Sequence, residues 1–424
     1  MPANIERLKR RMTNALWGLF IGDSLSMPVH WYYNRRNITD DFDGGITGYE
    51  SPRHPHPESF MVGMKYKPDV ERATALSRPY DILQNHRRFY ETSYSDLGIE
   101  RTDREGEHGN AVPSLEERYH YHHGLSAGDN TVGAQLVRVL LRSVVERETY
   151  DPDHFLTRFV EYLTTPGSNR DPYLEIYLRR WFEAYSRGAD PYAAAEHQRR
   201  TWSVGSHGGM IRPLVLSLLL PEDRSMATGV ALEHQNLTHR SESVATAVST
   251  LIPFLHGLIH GGEKRKQLRE AARTVHPPKI SGAELFEAYR SHEGPGNIPA
   301  AIMWKYHTDL WEAPVDLEAL LAEEDDRSIA PGRFATACYP EHGLPLMLYI
   351  LGRRKFDPAA SLLTNANMGG DNVHRGMVLG LLVGAAADTM PPSLTQGLTE
   401  YRAISSEIDA FVELVFEDPQ AHRI

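Results

Sequence analysis

Apolar side chains recur every three to four residues along much of this chain, the spacing of an amphipathic helix. Over Ile5 to Ile21 the apolar positions are Leu8, Met12, Leu16, Leu19 and Phe20, and the run ends at Gly22-Asp23. Val132 to Val145 repeats the pattern through Leu136, Val139, Leu140 and Val144. Segments of the same kind follow at Asp153 to Leu163, Leu174 to Tyr185, Met226 to Glu233, Ser243 to His260 and Ala283 to Tyr289. Leu344 to Leu351, His374 to Ala387 and Glu400 to Phe416 complete the series. Alternating, strand-like runs are scarce, with a single short candidate at Phe60 to Met64. The pattern predicts an all-α fold. No stretch approaches the roughly 18 uninterrupted apolar residues that would span a bilayer. Met377 to Ala387, rich in Gly and Ala, suits a packed core helix.

Two stretches break the helical rhythm. Trp31 to His123 is rich in Pro, Gly, Asp, Arg, His and Tyr, with turn-like pieces at Asp43-Gly44-Gly45 and Ser51-Pro52-Arg53-His54-Pro55-His56-Pro57. Thr274 to Pro299 carries Pro277-Pro278 and Gly294-Pro295-Gly296. A connection as long as the first is uncommon in a compact domain unless it serves a site. Residues 31–123 are therefore expected to form a lid-like insertion within one helical domain over residues 1–424. The histidines in it, His54, His56, His120, His122 and His123, read as a solvated loop in preference to a metal site.

Composition adds limits. The chain has 424 residues, 41% of them hydrophobic, enough for a large core. A formal net charge of −11 and scattered basic residues disfavour nucleic acid as a partner. The one cysteine, Cys338, excludes an internal disulfide and fits a reducing compartment. The opening Met-Pro-Ala-Asn-Ile-Glu-Arg has no apolar h-region, so the expectation is a cytoplasmic protein without a membrane partner. Monomer and homodimer are both open.

Polar residues gather where helices begin or end. The segments are Gly22-Asp23-Ser24-Leu25-Ser26-Met27-Pro28-Val29-His30, Gly128-Asp129-Asn130-Thr131, Gly205-Ser206-His207-Gly208-Gly209-Met210, Thr238-His239-Arg240-Ser241, and Asn365 to Gly376 with Gly369-Gly370-Asp371-Asn372-Val373-His374 at its centre. Helix N-termini present free N–H groups and partial positive charge, which hold anions. Asp, Asn and Thr oxygens can instead hold a hard cation. The structural alternative is N-capping at Asp129, Asn130, Thr131, Thr238 and Ser241, since these residue types are preferred caps.

Together the segments resemble the ADP-ribosylglycohydrolase family, the all-helical hydrolases that include dinitrogenase-reductase-activating glycohydrolase. Gly18 to Val29 is similar to its Gly-Asp-Ala-Leu-Gly-x-Pro-Val-Glu segment, and Gly128-Asp129-Asn130-Thr131 stands in place of its Thr-Asp-Asp-Thr. Gly205 to Met210 resembles Gly-Asn-Gly-x-x-Met, Thr238-His239 resembles Thr-His, and Gly369 to His374 resembles Gly-Gly-Asp-x-Asp-Thr. The resemblance implies a binuclear magnesium or manganese site that holds a ribose and a water. Several ligand positions differ: the family's Glu is His30, its second Asp is Asn130, and its C-terminal Asp and Thr are Val373 and His374. Two carboxylates, Asp129 and Asp371, do not balance two divalent ions well. One ion held by Asp129, Asn130, Thr131 and Asp371, a softer ion if His30 or His374 ligates, a metal-free site and the full pair remain open.

The implied activity is hydrolysis of an N-glycosidic ribosyl bond in an ADP-ribosylated or small nucleoside-like substrate. The expected catalytic residues are Asp129, Asp371, His30 and His374. Asp23, Gly205, Ser206, His207, Gly208, Gly209, His239, Gly370 and Asn372 are expected to bind substrate, and Trp31, Tyr32 and Tyr33 to close over a base. A non-catalytic binding or structural role on the same scaffold is the alternative.

Overall fold

The computed structural model describes residues 2–58, 66–86, 105–106, 110–111, 119–196, 205–291 and 309–417. Its longer helices include, in chain order, α1 (Pro2–Ser26), α2 (Val132–Arg147), α3 (Pro152–Thr164), α4 (Ile176–Ser186), α5 (Gly208–Ser217), α6 (Arg224–Asn236), α7 (Glu242–Ile259), α8 (Lys264–Ala272), α9 (Pro340–Arg353), α10 (Pro358–Met368), α11 (Asn372–Ala386) and α12 (Tyr401–Glu417), with a further helix at Gly282–Ser291 where Ala283 to Tyr289 predicts one. The fold is all-α, as the hydrophobic period predicts. A two-residue antiparallel pairing of Glu105–Gly106 with Asn110–Ala111 is a minor exception. The strand candidate at Phe60 to Met64 lies outside the described residues.

One apolar core runs from Leu8 in α1 to Val415 in α12. By length and composition α7 could cross a membrane. Here its apolar side chains, among them Val248, Leu251, Ile252 and Leu255, are buried in that core. The sequence reading missed α5, α8 and α10. In α5, Pro213 interrupts the expected helical pattern, yet the helix continues through it. In α8 the polar run Lys264-Arg265-Lys266-Gln267 hides a narrow apolar edge of Leu268, Ala271 and Ala272.

The pairing of α1 with α11 sets the geometry of the site. A Cβ on Gly18 would lie 2.0 Å from the carbonyl oxygen of Gly380, one on Gly22 2.1 Å from that of Gly376, and one on Gly384 2.1 Å from that of Asn14. Glycine permits this backbone-to-backbone approach because it has no Cβ. The matched positions run in opposite directions, so the two helices are antiparallel. The C-terminal end of α1 therefore meets the N-terminal end of α11, and His30 comes to face Asp371 and His374.

Residues after α1 are tied back onto it. Tyr32, Ile38, Phe42 and Ile46 form a small cluster with Val29 and Ala366. His120 Nε2 donates to the carbonyl of Pro28 (3.0 Å) and His56 Nε2 to that of His30 (2.9 Å). Each ring's Nδ1 accepts a backbone N–H, from His122 and Glu58 respectively. The expectation of a solvated histidine loop is corrected here: His56, His120 and His122 are buried, because each finds partners that replace water.

Candidate active site

Asp371 is the N-cap residue of α11 and is fully buried. Gly369 and Gly370 lead into it, both at φ +67°, where side chains other than glycine are strained. Their lack of Cβ lets two other segments press against the turn. Gly370 N–H donates to the Tyr32 carbonyl and Trp31 N–H to the Gly370 carbonyl, both at 2.8 Å. Asp371 N–H donates to the Thr336 carbonyl at 2.8 Å. The fully buried Arg375 guanidinium fastens the same turn through Asn365 Oδ1 (2.8 Å), the Gly369 carbonyl (2.9 Å) and the Thr336 carbonyl (3.2 Å). Burial lowers its pKa to about 10, so it stays charged at neutral pH.

Three imidazoles converge on the Asp371 carboxylate. His374 Nδ1 lies 2.6 Å from Oδ1, His30 Nε2 3.2 Å from the same oxygen, and His207 Nδ1 3.0 Å from Oδ2. The far nitrogen of His374 is 3.1 Å from Oε1 of Glu175, the residue that precedes α4. Burial alone would push the His374 pKa down, but the two flanking carboxylates hold it well above the usual imidazole value. Burial would likewise raise Asp371, yet the His374 charge and the imidazole N–H groups hold it well below the usual carboxylate range. His30 and His207 are pushed down by burial and stay neutral. Behind His30, its Nδ1 lies 2.7 Å from His122 Nε2, and His122 Nδ1 lies 2.8 Å from Asp171 Oδ1. A continuous buried chain of polar contacts thus runs Asp171–His122–His30–Asp371–His374–Glu175.

The other expected residues are placed around this chain in different ways. Asp23 is fully buried and accepts from Asn130 Nδ2 (2.8 Å), Thr131 N–H (2.8 Å) and Thr131 Oγ1 (2.6 Å). Burial raises its pKa. Asp23 therefore anchors the 130–131 loop from behind, where substrate contact was expected. Asp129 accepts from Ser126 N–H (3.0 Å) and pairs with Arg170 (2.9 Å). The Gly205 to Gly209 segment, expected to bind substrate, has part of its backbone N–H groups engaged within the protein. His207 N–H donates to the Cys338 carbonyl, Gly209 N–H to that of Ser206, and Met210 N–H to that of His207. The Glu175 carboxylate lies against Gly208 at the start of α5, within 2.9 Å of where a Cβ would sit. That negative charge already meets the helix N-terminus. His239 Nδ1 is 2.8 Å from Thr238 Oγ1, which accepts from Arg212. Asn372 Nδ2 donates to the carbonyls of Ala366 and Val29. Ser206 Oγ, His207 Nε2, His239 Nε2 and Asn372 Oδ1 are buried and have no hydrogen-bond partner among the described residues. Of the three expected aromatics, Tyr32 is buried with its hydroxyl on Asp41 (2.8 Å), whereas Trp31 stacks on His30 with ring centroids 4.7 Å apart.

The sequence profile of ADP-ribosylglycohydrolase matches residues 4–422. The chain belongs to the ADP-ribosylglycohydrolase family. Among solved structures it resembles an "ADP-ribosylglycohydrolase-related protein complex" at 17% identity and a TM-score of 0.53, over 97% of this chain and 100% of that one, a likeness of fold. None of the curated proteins matches it.

ADP-ribosylglycohydrolases usually bind divalent ions, and the donor set here fits one ion better than two. His30, Asp371 and His374 each offer a ligand atom, all within 4.8 Å of one another. Two imidazoles and one carboxylate suit zinc, iron or manganese more than magnesium. The far nitrogen of each imidazole is held, by His122 and by Glu175, in the manner that orients metal-ligating histidines. Of the ligand set expected from sequence, Asp129, Asn130, Thr131 and Asp371, this histidine–carboxylate cluster includes Asp371. Arg170 engages Asp129, Asn130 and Thr131 are turned onto Asp23, and Val373 is packed in the core.

Glu175, Asp171 and Arg375 were not singled out from sequence. Asp171 and Glu175 lie four residues apart in one short segment before α4, with nothing in local composition to mark them. Arg375 is the one Lys or Arg in a helix whose remaining residues after it are all apolar, the signal that could have drawn attention to it.

Proposed function

We propose that this chain is a hydrolase that cleaves the N-glycosidic bond of an ADP-ribosylated or nucleoside-like substrate, with Asp371, His374 and Glu175 as its acid–base group. One observation carries this reading: a buried imidazole, His374, clamped between the carboxylates of Asp371 and Glu175, which raise its pKa. As the C–N bond breaks, its electron pair leaves with nitrogen and positive charge grows at the anomeric carbon. Asp371, kept ionised by the imidazoles around it, offsets that charge. His374 donates the proton that the departing nitrogen needs. Water attacks the anomeric carbon, and the proton it loses returns to His374, which Glu175 holds in orientation. Asp129 is the second carboxylate of this reading and contacts the ribose. Trp31 covers the site as the stacking aromatic.

The orphaned polar atoms of Ser206, His207, His239 and Asn372 support a polar substrate. A buried donor or acceptor left unpaired costs about 1–3 kcal/mol, which a bound ligand can recover. An ion held by His30, Asp371 and His374 would replace the His374 proton and would supply Lewis acidity toward a ribose oxygen or a water in its stead. The test is release of ADP-ribose from ADP-ribosyl-arginine by the wild type and by Glu175→Gln, across pH. Loss of general acid–base support lowers the rate by roughly 10²–10⁴-fold. Equal rates for the two proteins would remove Glu175 and His374 from the chemistry.

A further inference from the structure

We propose that the Trp31 side chain is the door of the site. It swings on a fixed backbone between a closed stack on His30, the state seen here, and an open state that admits solvent and ligand to Asp371 and His374. The door belongs to the fold and does not depend on which bond the site cleaves.

The site is closed on every side. Asp371, His30 and His207 expose none of their surface, and His374 exposes 3%. A ligand reaches them only if a covering group moves. Five rings pack around His30: Trp31, Tyr121, His122, Tyr173 and His374. Four of them are buried, and Trp31 alone of the five keeps partial exposure. Its ring lies on His30 with centroids 4.7 Å apart and meets Tyr121 and Tyr173 at 6.4 Å. It also packs against the small cluster of Leu285, Ala335, Cys338 and Tyr339.

Two features mark the closed position as imposed on Trp31. Its φ is +66°, a conformation that bulky side chains rarely adopt. Strain of this kind persists where surrounding contacts enforce it, and it gathers at ligand clamps and switches. Here the Trp31 N–H on the Gly370 carbonyl and the Gly370 N–H on the Tyr32 carbonyl, both at 2.8 Å, pin the backbone. The second feature is the indole Nε1–H, which is buried and has no acceptor among the described residues. A buried donor without a partner is costly, and solvent would supply one. Trp181 is the contrast: its Nε1 donates to the Leu237 carbonyl at 3.0 Å. The closed stack of Trp31 thus lacks the bond that would lock it. With the backbone pinned, the movement left is rotation about the Cα–Cβ bond. That rotation lifts the ring off His30 and gives its N–H to water.

Hydrogen exchange of the indole N–H groups in the full chain, labelled with nitrogen-15 tryptophan, reads the motion. The two signals are assigned by ring contacts, of Trp31 with His30 and of Trp181 with Phe159. Trp31 should exchange about 10²-fold or more faster than Trp181. Its rate should be indifferent to low urea, because local opening exposes little surface, whereas Trp181 should exchange faster as urea rises. Equal rates with the same urea dependence overturn the door. Trp31→Gly tests access, since glycine adopts the same φ freely and removes the ring. Hydroxyl-radical oxidation, read by mass spectrometry, should rise at His30 and Tyr173 in this variant and stay at the wild-type level at Trp181. Unchanged oxidation of His30 and Tyr173 in folded Trp31→Gly also overturns the door. Should that variant fail to fold, Trp31→Asn, which also tolerates positive φ, takes its place. Fast indole exchange without turnover would remove the hydrolase reading and leave the door standing. Turnover with an indole that exchanges only on global unfolding would do the reverse.

Discussion

Alanine at position 22 would place a methyl carbon 2.1 Å from the carbonyl oxygen of Gly376, inside the closest approach of α1 and α11. To restore a tolerable contact the helices must part by about 1 Å, since packed interiors have little slack. Overpacking of this kind costs roughly 1–3 kcal/mol. The better helix propensity of alanine returns about 1 kcal/mol, so the net loss of stability is modest, at most about 2 kcal/mol. The effect on chemistry is expected to be larger. Gly22 lies about two turns before His30, and parting the helices there moves His30 away from Asp371 and His374. A displacement near 1 Å can cost about 10²-fold in rate. Gly229→Ala in α6 is the control, because nothing lies within 4 Å of its Cβ position. It should gain about 0.4–1 kcal/mol by stiffening the unfolded chain and leave the rate unchanged. Urea unfolding and ADP-ribose release on the two variants test the argument together. A Gly22→Ala protein as active as the wild type would refute the claim that this helix contact sets the site.

Three further outcomes follow from the site. The folded pKa of His374 is raised above the ordinary imidazole value of 6.5, so its contribution to stability is full below 6.5 and fades as pH rises through the folded value. Asp371 has the opposite sign, contributing above the usual carboxylate value and losing that contribution as pH falls. Unfolding of wild type and His374→Gln as a function of pH should therefore converge toward alkaline pH. A metal ion must displace the His374 proton. Zinc or manganese binding followed by calorimetry should release protons, weaken as pH falls, and saturate near one ion per chain, whereas two ions or pH-independent binding would contradict the donor-set argument. Arg375→Met strands the Gly369 and Thr336 carbonyls and Asn365 Oδ1 in the interior, at about 1–3 kcal/mol for each. It should lower the thermal midpoint sharply, and a variant as stable as the wild type would show that the turn before Asp371 needs no clamp.

The helices were legible from sequence because most carry an apolar stripe at period 3.6, as in α2, where Leu136, Val139, Leu140 and Val144 all reach the core. The misses have local causes: an internal proline in α5 and a strongly basic face in α8. Of the expected site residues, His30, Asp371 and His374 come together where α1 meets α11 through glycine contacts that were not read from the sequence, and His207 joins them from the start of α5. What sequence could not give is the partner of each polar group. Asp23 looks like a substrate contact until Asn130 and Thr131 are seen to occupy both its oxygens. His122 looks like part of a solvated loop until His30 and Asp171 close around it. Local pattern records what a residue can do, and tertiary contact decides which of those capacities is already used.

The most direct measurement is single-turnover release of ADP-ribose from ADP-ribosyl-arginine, with wild type and Asp371→Asn, each assayed metal-free and with zinc or manganese. The expected result is release by the wild type and loss of at least about 10²-fold in Asp371→Asn. No release from this substrate or from simple N-ribosides under any of these conditions would contradict the hydrolase assignment, and release unaffected by Asp371→Asn would contradict the site.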